Sequence, residues 1–291
     1  MFDPAPVVNF QDLSGRFLAA IPRSGEVQKY RLAEAPGLYD IQERSHSVSS
    51  SGLFFLVRAS PDSKPEQPTA AVYHDYLVAF DRSGQYRGKM QIQDDFRASE
   101  VGVLESGNIL IYGFAEADHA PKLAFFKDDG TLLRMLRPAR GAMRKSALSK
   151  GPGNADSANV DSGVYVVAPV QLVPQKSSVF VLQRGADLPL LEVKEGGGVR
   201  ALYPRLPPNT KFDRIVVSNR DLYLHVSSGK RSFIYQIDPL SGEVLKRFRV
   251  DSDESGNNVA CVYDGEFLSF AHDWEHGRFL IPLLGTEASA K

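Results

Sequence analysis

A repeated pair of β-hairpins is the feature of this 291-residue sequence that most constrains its fold. One hairpin type joins two apolar or alternating strands through a short turn that contains glycine, which is the usual hairpin signature. Its clearest copies turn at Gly84, Gly130 and Gly242, and weaker copies surround Gly25 and Gly185. No long stretch places apolar residues at helical spacing, so the pattern predicts an all-β protein.

A second hairpin type alternates with the first along the chain. Its turns recur about every 44 to 58 residues, and two hairpins in each such period are typical of a propeller, in which one period forms one four-stranded blade. The turns of this second, inner type lie at Gly52, Gly107, Gly163, residues 219–221 and Gly265.

Pairing the two hairpin types gives the number of blades. Four inner hairpins are each followed by an outer one, at Gly84, Gly130, Gly185 and Gly242. Strands from both ends of the chain then supply a fifth blade, which closes the ring and leaves no open sheet edge. Residues 278–284 are a surplus strand that could instead form a sixth blade with residues 7–21. We therefore predict a single-domain β-propeller over residues 1–291, with five, alternatively six, four-stranded antiparallel blades.

The hairpin sequences resemble a known superfamily. The residues that carry the resemblance are Phe80-Asp81-Arg-Ser-Gly84, Ile237-Asp238-Pro-Leu-Ser-Gly242-Glu-Val and Glu105-Ser-Gly107-Asn-Ile-Leu-Ile. They are similar to repeats of the bacterial β-propellers that include the NHL, TolB-like and lactonase-type proteins. The sequence lacks the sialidase-type box and the WD40 residue pairs, so the resemblance implies a fold and not a particular activity.

Polar residues precede the predicted innermost strands. Counting seven residues back from each inner turn finds five such positions, although the strands that follow are largely apolar, and we expect these residues to line the mouth of the central channel. They are Ser45, Glu100, Asp156, Arg214 and Asn258.

Three chemical interpretations of these five positions are open. Glu100, Asp156 and Asn258 offer oxygen ligands that suit Ca²⁺, and the resemblance to lactonase-type propellers implies a metal in such a place. Arg214 would instead favour an anionic or polar ligand. Strand starts are also polar simply because they follow exposed loops. The sequence has neither a nucleophile elbow nor a phosphate-binding glycine loop, so no catalytic residue is assigned.

Two segments lengthen the repeat. Residues 60–72 contain three prolines, which favour an extended exposed loop. Residues 134–150 carry six Lys and Arg residues and no acidic one, which is typical of a solvated loop or of a contact with an acidic partner. Both segments are expected to be loop insertions.

Charge and cysteine content exclude several classes of protein. The net charge of −1 argues against a general nucleic-acid binder. The single Cys261 allows no internal disulfide, and no apolar run is long enough to span a membrane. The chain start has no signal-peptide pattern, which predicts a cytoplasmic protein, or a periplasmic or secreted one if a leader was removed.

Taken together, these features predict a non-catalytic propeller scaffold. Its ligand would be another protein or a small polar molecule, bound through the loops or the channel mouth, with no cofactor and as a monomer. The alternative is a metal-dependent hydrolase of the lactonase or esterase type, with Ca²⁺ held by Glu100, Asp156 and Asn258.

Overall fold

A computed structural model gives the fold. The residues it describes are 7–12, 15–20, 28–32, 35–61, 72–93, 95–117, 119, 121–136, 169–183, 190–207, 210–218, 221–228, 231–250, 259–263, 266–273, 277–282 and 285–287. In these residues the chain forms antiparallel sheets and no α-helix. The chain divides into two compact units, Pro4–Pro138 and Ala139–Lys291 together with Met1–Asp3.

The first unit contains three sheets whose strands follow one another along the chain. Sheet A consists of β1 (Val7–Asp12), β2 (Gly15–Ala20) and β3 (Gln28–Tyr30). Sheet B consists of β4 (Tyr39–Ser49), β5 (Gly52–Ser60), β6 (His74–Phe80) and β7 (Tyr86–Gln91). Sheet C consists of β8 (Phe96–Val103), β9 (Ile109–Ala115), β10 (Pro121–Phe126) and β11 (Leu132–Leu136).

The second unit repeats this arrangement. Sheet D consists of β12 (Pro169–Gln175), β13 (Ser178–Gln183), β14 (Leu190–Lys194) and β15 (Val199–Leu202). Sheet E consists of β16 (Lys211–Ser218), β17 (Asp221–Ser228), β18 (Arg231–Ile237) and β19 (Val244–Val250), to which β23 (Gly285–Glu287) adds a fifth strand. Sheet F consists of β20 (Val259–Tyr263), β21 (Glu266–Asp273) and β22 (Gly277–Pro282).

These sheets confirm the predicted fold class. Sheets B, C and E contain the expected inner and outer hairpins, and the strand order within each sheet is that of a propeller blade. The turn glycines predicted at Gly84, Gly107, Gly130 and Gly242 have φ between 76° and 91°, a conformation in which only glycine is unstrained. At Gly52 a Cβ would lie 2.0 Å from the carbonyl oxygen of Phe80, so the first inner turn also requires glycine.

The hairpin predicted around Gly185 is present, since Val179 pairs with Val193, but it is the middle hairpin of sheet D and not the outer one. The inner hairpin of this sheet turns at Lys176 and Ser177 and its outer hairpin at residues 195–198, whereas the sequence indicated turns at Gly163 and Gly185. Gly163 lies outside the described residues, and Gly185 falls between the paired strands β13 and β14. The hairpin pattern favoured glycine turns, but here Lys176 itself has a positive φ of 53°.

The two ends of the chain do not share a sheet in the described residues. Sheet A begins with a β1–β2 hairpin of its own, and residues 278–282 belong to β22, which pairs with β21. The expected single blade built from both ends is therefore replaced by two three-stranded sheets. The number of sheets matches the alternative count of six, but residues 278–282 do not share a sheet with residues 7–20, as that alternative expected. The number of blades in a closed ring stays a prediction.

Cores lie between consecutive sheets within each unit. On β5, the side chains of Phe55, Val57 and Ala59 pack in the core with sheet A, whereas Leu56 packs in the core with sheet C. Alternate strand residues point to opposite faces, so a sheet buried on both faces needs a continuous apolar run such as Leu53 to Val57. Matching cores join sheet E to sheets D and F.

The two predicted insertions are described only in part. Of residues 60–72, Ser60 ends β5 and residues 62–71 lie outside the described part of the chain. Of residues 134–150, the first three belong to β11, where Arg134 pairs with Phe125, so the predicted start of this insertion was wrong. Residues 137–150 lie outside the described part.

Candidate functional site

A β-bulge interrupts the first strand of five sheets, at similar positions in sheets B, C, D and E and nearer to the hairpin turn in sheet F. In each case one extra residue interrupts the register, and the pairing resumes at the residue that follows it. Bulges bend the strand and redirect side chains, which is why they are frequent beside binding sites. The residues at which pairing resumes are Ser45, Glu100, Gln171, Arg214 and Cys261.

Three of the five predicted site residues occupy this bulge position: Ser45, Glu100 and Arg214. Ser45 and Glu100 belong to the neighbouring first strands β4 and β8, and the Ser45 hydroxyl donates a hydrogen bond of 2.7 Å to Oε2 of Glu100. Burial raises the pKa of Glu100, while the Ser45 hydrogen bond and the charge of His46 lower it part of the way. The sequence-based rule therefore brought together two residues that are in contact.

Tyr112 adds a phenol beside Glu100 that the sequence pattern did not reveal. The two residues are directly opposed on β9 and β8, so their side chains lie on the same face of sheet C. The Tyr112 hydroxyl is buried without a hydrogen-bond partner, and burial raises the pKa of Tyr112 to about 12. A tyrosine inside an apolar strand is typical of core packing, so no sequence signal separated it from its neighbours.

His46 lies on β4 beside Ser45, and its charge acts on Glu100. Its Nδ1 lies 3.0 Å from Oε1 of Glu43, and its side chain is partly exposed. The imidazole therefore belongs to a surface pair on β4.

Arg214 belongs to the second unit, where it is directly opposite His225 on β17. The side chain of His225 is 1% exposed, and neither ring nitrogen has a hydrogen-bond partner. Oδ2 of Asp213, the bulged residue, lies 3.9 Å from its Nδ1. Burial lowers the pKa of His225, Asp213 raises it, and Arg214 lowers it further, so the imidazole is neutral at pH 7.

Asp156 and Asn258 lie outside the described residues, so two of the three ligands predicted for Ca²⁺ are not placed. The corresponding bulge position in sheet D is Gln171, whereas in sheet F pairing resumes at Cys261, which lies nearer to the hairpin turn. Gln171 was missed because the inner turn of sheet D was assigned to a glycine. Within the described part of the chain, no group of three or more His, Cys, Asp or Glu side chains is placed to hold a metal ion.

Hydrogen bonds also join consecutive sheets beside the bulges. Between sheets B and C, the Ala98 amide donates to Oδ2 of Asp75 and the Val103 amide donates to the Ser47 hydroxyl, both at 2.9 Å. Between sheets D and E, the Ile215 amide donates to Oε1 of Gln171, also at 2.9 Å. Between sheets B and C a carboxylate and a hydroxyl accept backbone amides, and between sheets D and E a neutral side-chain amide does so.

Comparison with known proteins supports the fold and no activity. No family model and no curated protein matches the chain. The major allergen Mala s 1 of Malassezia sympodialis is 12% identical, with a TM-score of 0.51, covering 98% of this chain and 91% of the allergen. At this identity the likeness shows the fold alone.

Two further solved structures are similar at lower scores. A protein of unknown function from Bacteroides caccae is 13% identical, with a TM-score of 0.45, covering 98% of this chain and 94% of its own. The glutaminyl cyclase of Myxococcus xanthus is 11% identical, with a TM-score of 0.40, covering 88% of this chain and 94% of its own.

The described residues contain no helix long and apolar enough to cross a membrane.

Proposed function

We propose that the protein is a non-catalytic binding scaffold whose ligand is a small polar molecule, held at the junction of β4 and β8 by Glu100 and Ser45. The observation that carries this proposal is the half-buried Glu100 carboxylate, whose Oε2 accepts a hydrogen bond of 2.7 Å from the Ser45 hydroxyl. Its other oxygen, Oε1, accepts no hydrogen bond from the described residues.

The cost of burying this carboxylate is the first support. Removing a charge from water is unfavourable unless partners compensate for it, and a single hydroxyl is a weak partner. At the junction of sheets D and E, the neutral amide of Gln171 occupies the equivalent bulge position. Since a neutral group serves at one junction, the acid at the other indicates a role beyond holding sheets together, as perturbed acids in binding sites often do.

The chemistry of Glu100 defines the class of ligand. An ionised carboxylate only accepts hydrogen bonds, so it selects molecules with hydroxyl or ammonium donors. The apolar strands around it and the neighbouring Tyr112 ring would pack against the carbon skeleton of a polyol, a sugar or a primary amine. The loops of a propeller-type scaffold would then set specificity.

A ligand screen tests this proposal directly. Polyols, monosaccharides, amino acids and small amines are added singly, and the midpoint of thermal unfolding is measured, because a ligand that binds only the native state raises it. We expect at least one class to raise the midpoint in the wild type and not in the Glu100→Ala or Ser45→Ala variants. Glu105→Gln, at an exposed turn of the same sheet, is the control and should respond like the wild type. A panel without any shift, or a shift that Glu100→Ala retains, would contradict the proposal.

The same experiment with metal ions tests the hydrolase alternative. After treatment with EDTA, added Ca²⁺ is expected to leave the unfolding midpoint unchanged, because Glu100 already bonds Ser45 and the described residues bring no group of three metal-binding side chains together. A Ca²⁺-dependent rise that Glu100→Ala abolishes would favour the hydrolase. The relationship to NHL, TolB-like and lactonase-type propellers is likewise part of the proposal.

A further inference from the structure

Sheet E carries a fifth strand on its outer edge, a feature that the other sheets lack in the described residues. The added strand, β23, pairs antiparallel with the outer strand β19 through Phe248, Arg249 and Val250. Residues 244–247 of β19 continue beyond this described pairing. An edge strand presents backbone N–H and C=O groups to which another extended segment can add. The edge of β19 accepts such a segment within the chain itself.

The outer strand β19 is also the most basic of the described outer strands. It contains Lys246, Arg247 and Arg249 and no acidic residue. The outer strands of sheets B, C and D contain at most two basic residues each. Opposite charges on neighbouring strands stabilise a sheet, so the edge of β19 favours an added strand that carries acidic side chains.

The charges around β19 identify the basic residue on which this preference depends. Glu243 immediately precedes the strand, and its Oε1 lies 3.1 Å from Nη1 of Arg205, with which it forms an ion pair. The acidic residues that follow the strand, at positions 251, 253 and 254, lie outside the described residues. Lys246 and Arg249 have interactions of their own. The preference for acidic segments therefore depends on Arg247.

Arg247 is held in place by aromatic rings. Its guanidinium carbon lies 4.0 Å from the centre of the Phe233 ring and 5.8 Å from the centre of the Tyr235 ring, both on β18. Its Nε is buried without a hydrogen-bond partner, and no carboxylate pairs with it in the described part of the chain. Because the rings fix the orientation of the guanidinium, less conformational freedom is lost when an acidic group binds.

We propose that the edge of β19 along residues 244–247 binds an extended, acidic peptide segment of a partner protein by antiparallel strand addition, in the direction that β23 takes. Directly opposed residues of neighbouring strands place their side chains on the same face. An acidic residue opposite Arg247 therefore offers its carboxylate to the guanidinium. Backbone hydrogen bonds provide affinity, and this charge-assisted contact selects acidic segments.

The charge of β19 disfavours a second copy of this chain as the occupant. Two β19 strands paired edge to edge would place basic residues opposite basic residues, which is destabilising. A nucleic acid is disfavoured because the chain has a net charge of −1 and so lacks a general positive field. This surface contains neither Glu100 nor Ser45, so it does not rest on the proposed function and either proposal can fail without the other.

The test measures the binding of a fluorescently labelled synthetic peptide of alternating glutamate and threonine residues to the full chain, by fluorescence anisotropy at physiological ionic strength. We expect saturable binding. A peptide with glutamine in place of glutamate should bind about tenfold more weakly, because it loses the charge-assisted contact. A peptide of the same sequence with an N-methylated backbone should not bind, because it cannot donate hydrogen bonds to the edge of the sheet.

Two variants of the protein locate the binding surface. Arg247→Gln removes the guanidinium and should weaken binding of the acidic peptide about tenfold. Arg87→Gln removes the same charge from an exposed position on β7, the outer strand of sheet B, and should leave the affinity unchanged. The N-methylated peptide is measured on the wild type, so this part of the test holds even where Arg247→Gln fails to fold.

Three results would overturn the proposal. The acidic peptide fails to saturate the wild type, in which case the basic residues of β19 serve only to keep the sheet edge from pairing. The N-methylated peptide binds as well as the unmodified one. Arg87→Gln weakens binding as much as Arg247→Gln does.

Discussion

The junctions between sheets B and C and between sheets D and E use the same backbone device with different side chains. In both, the first strand of each sheet has a bulge, and a backbone amide of the second sheet donates a hydrogen bond of 2.9 Å to a side chain of the first. The acceptor between D and E is the neutral amide of Gln171. Between B and C the acceptors are the carboxylate of Asp75 and the hydroxyl of Ser47, and a second carboxylate, Glu100 on β8, accepts the hydroxyl of Ser45.

The comparison shows which polar side chains the packing of two sheets requires and which side chains exceed that requirement. Joining two sheets requires an acceptor for a buried amide, which a neutral group provides without the cost of burying a charge. The Glu100 carboxylate at the junction of sheets B and C accepts a side-chain hydroxyl and no backbone amide, and is therefore more than the fold requires. We therefore infer that this carboxylate belongs to a binding region at the junction of sheets B and C.

Removal of Asp75 should have the largest effect. Asp75→Ala leaves the Ala98 amide without its acceptor and the Arg58 guanidinium without its ion-pair partner, so we expect a loss of about 3 kcal/mol in the free energy of unfolding. Asp75→Asn retains an acceptor and should lose clearly less. Urea denaturation measures both. Equal losses would show that the charge, and not the acceptor, holds this junction.

Removal of Gln171 should have a smaller effect on the other junction. Gln171→Ala leaves one buried backbone amide without an acceptor, which costs about 1–3 kcal/mol. Gln93→Ala removes an exposed amide side chain and should stay within about 0.5 kcal/mol of the wild type. If Gln171→Ala unfolds no more easily than this control, the two junctions are not equivalent.

His225 predicts a pH dependence of the second unit. Burial holds the pKa of His225 below its usual 6.5, so below pH 6.5 the unfolded chain takes up a proton that the native chain does not. The free energy of unfolding should therefore decrease as the pH is lowered below 6.5, by up to about 1.4 kcal/mol per pH unit, until the pH reaches the native pKa of His225. His225→Leu should remove this component, since it also eliminates two unpartnered nitrogens. His119→Asn changes an exposed histidine and should retain this pH dependence. The free energy of unfolding of each variant at pH 5.5 and 7.5 measures the difference.

Hairpin chemistry explains how much of the fold was predictable. Turns at Gly52, Gly84, Gly107 and Gly130 follow from short-range rules, because their positive φ values demand glycine. No sequence signal marks the turn at Lys176, because lysine rarely adopts the positive φ that it has there. The extra strand β23 on sheet E is a long-range pairing that no local pattern encodes.

The candidate site was predictable to the same extent. Ser45 and Glu100 were found because each lies seven residues before a glycine turn, and the bulge then places them in contact. Gln171 was lost with the misassigned turn. Asp75, Arg58 and the Ala98 amide lie on three different strands, so their proximity depends on how the sheets pack, which the repeat alone does not specify.

The most direct test of the central claim, that Glu100 serves binding and not the fold, is the pH dependence of stability in Glu100→Gln. Burial raises the native pKa of Glu100 above the ordinary 4.5, so wild-type stability should decrease as the pH rises from 4.5 through the native pKa. The glutamine variant lacks this decrease, so we predict that it is at least as stable as the wild type at pH 7. A loss of several kcal/mol at pH 7 would show instead that the ionised carboxylate holds the sheets together, and would contradict the account.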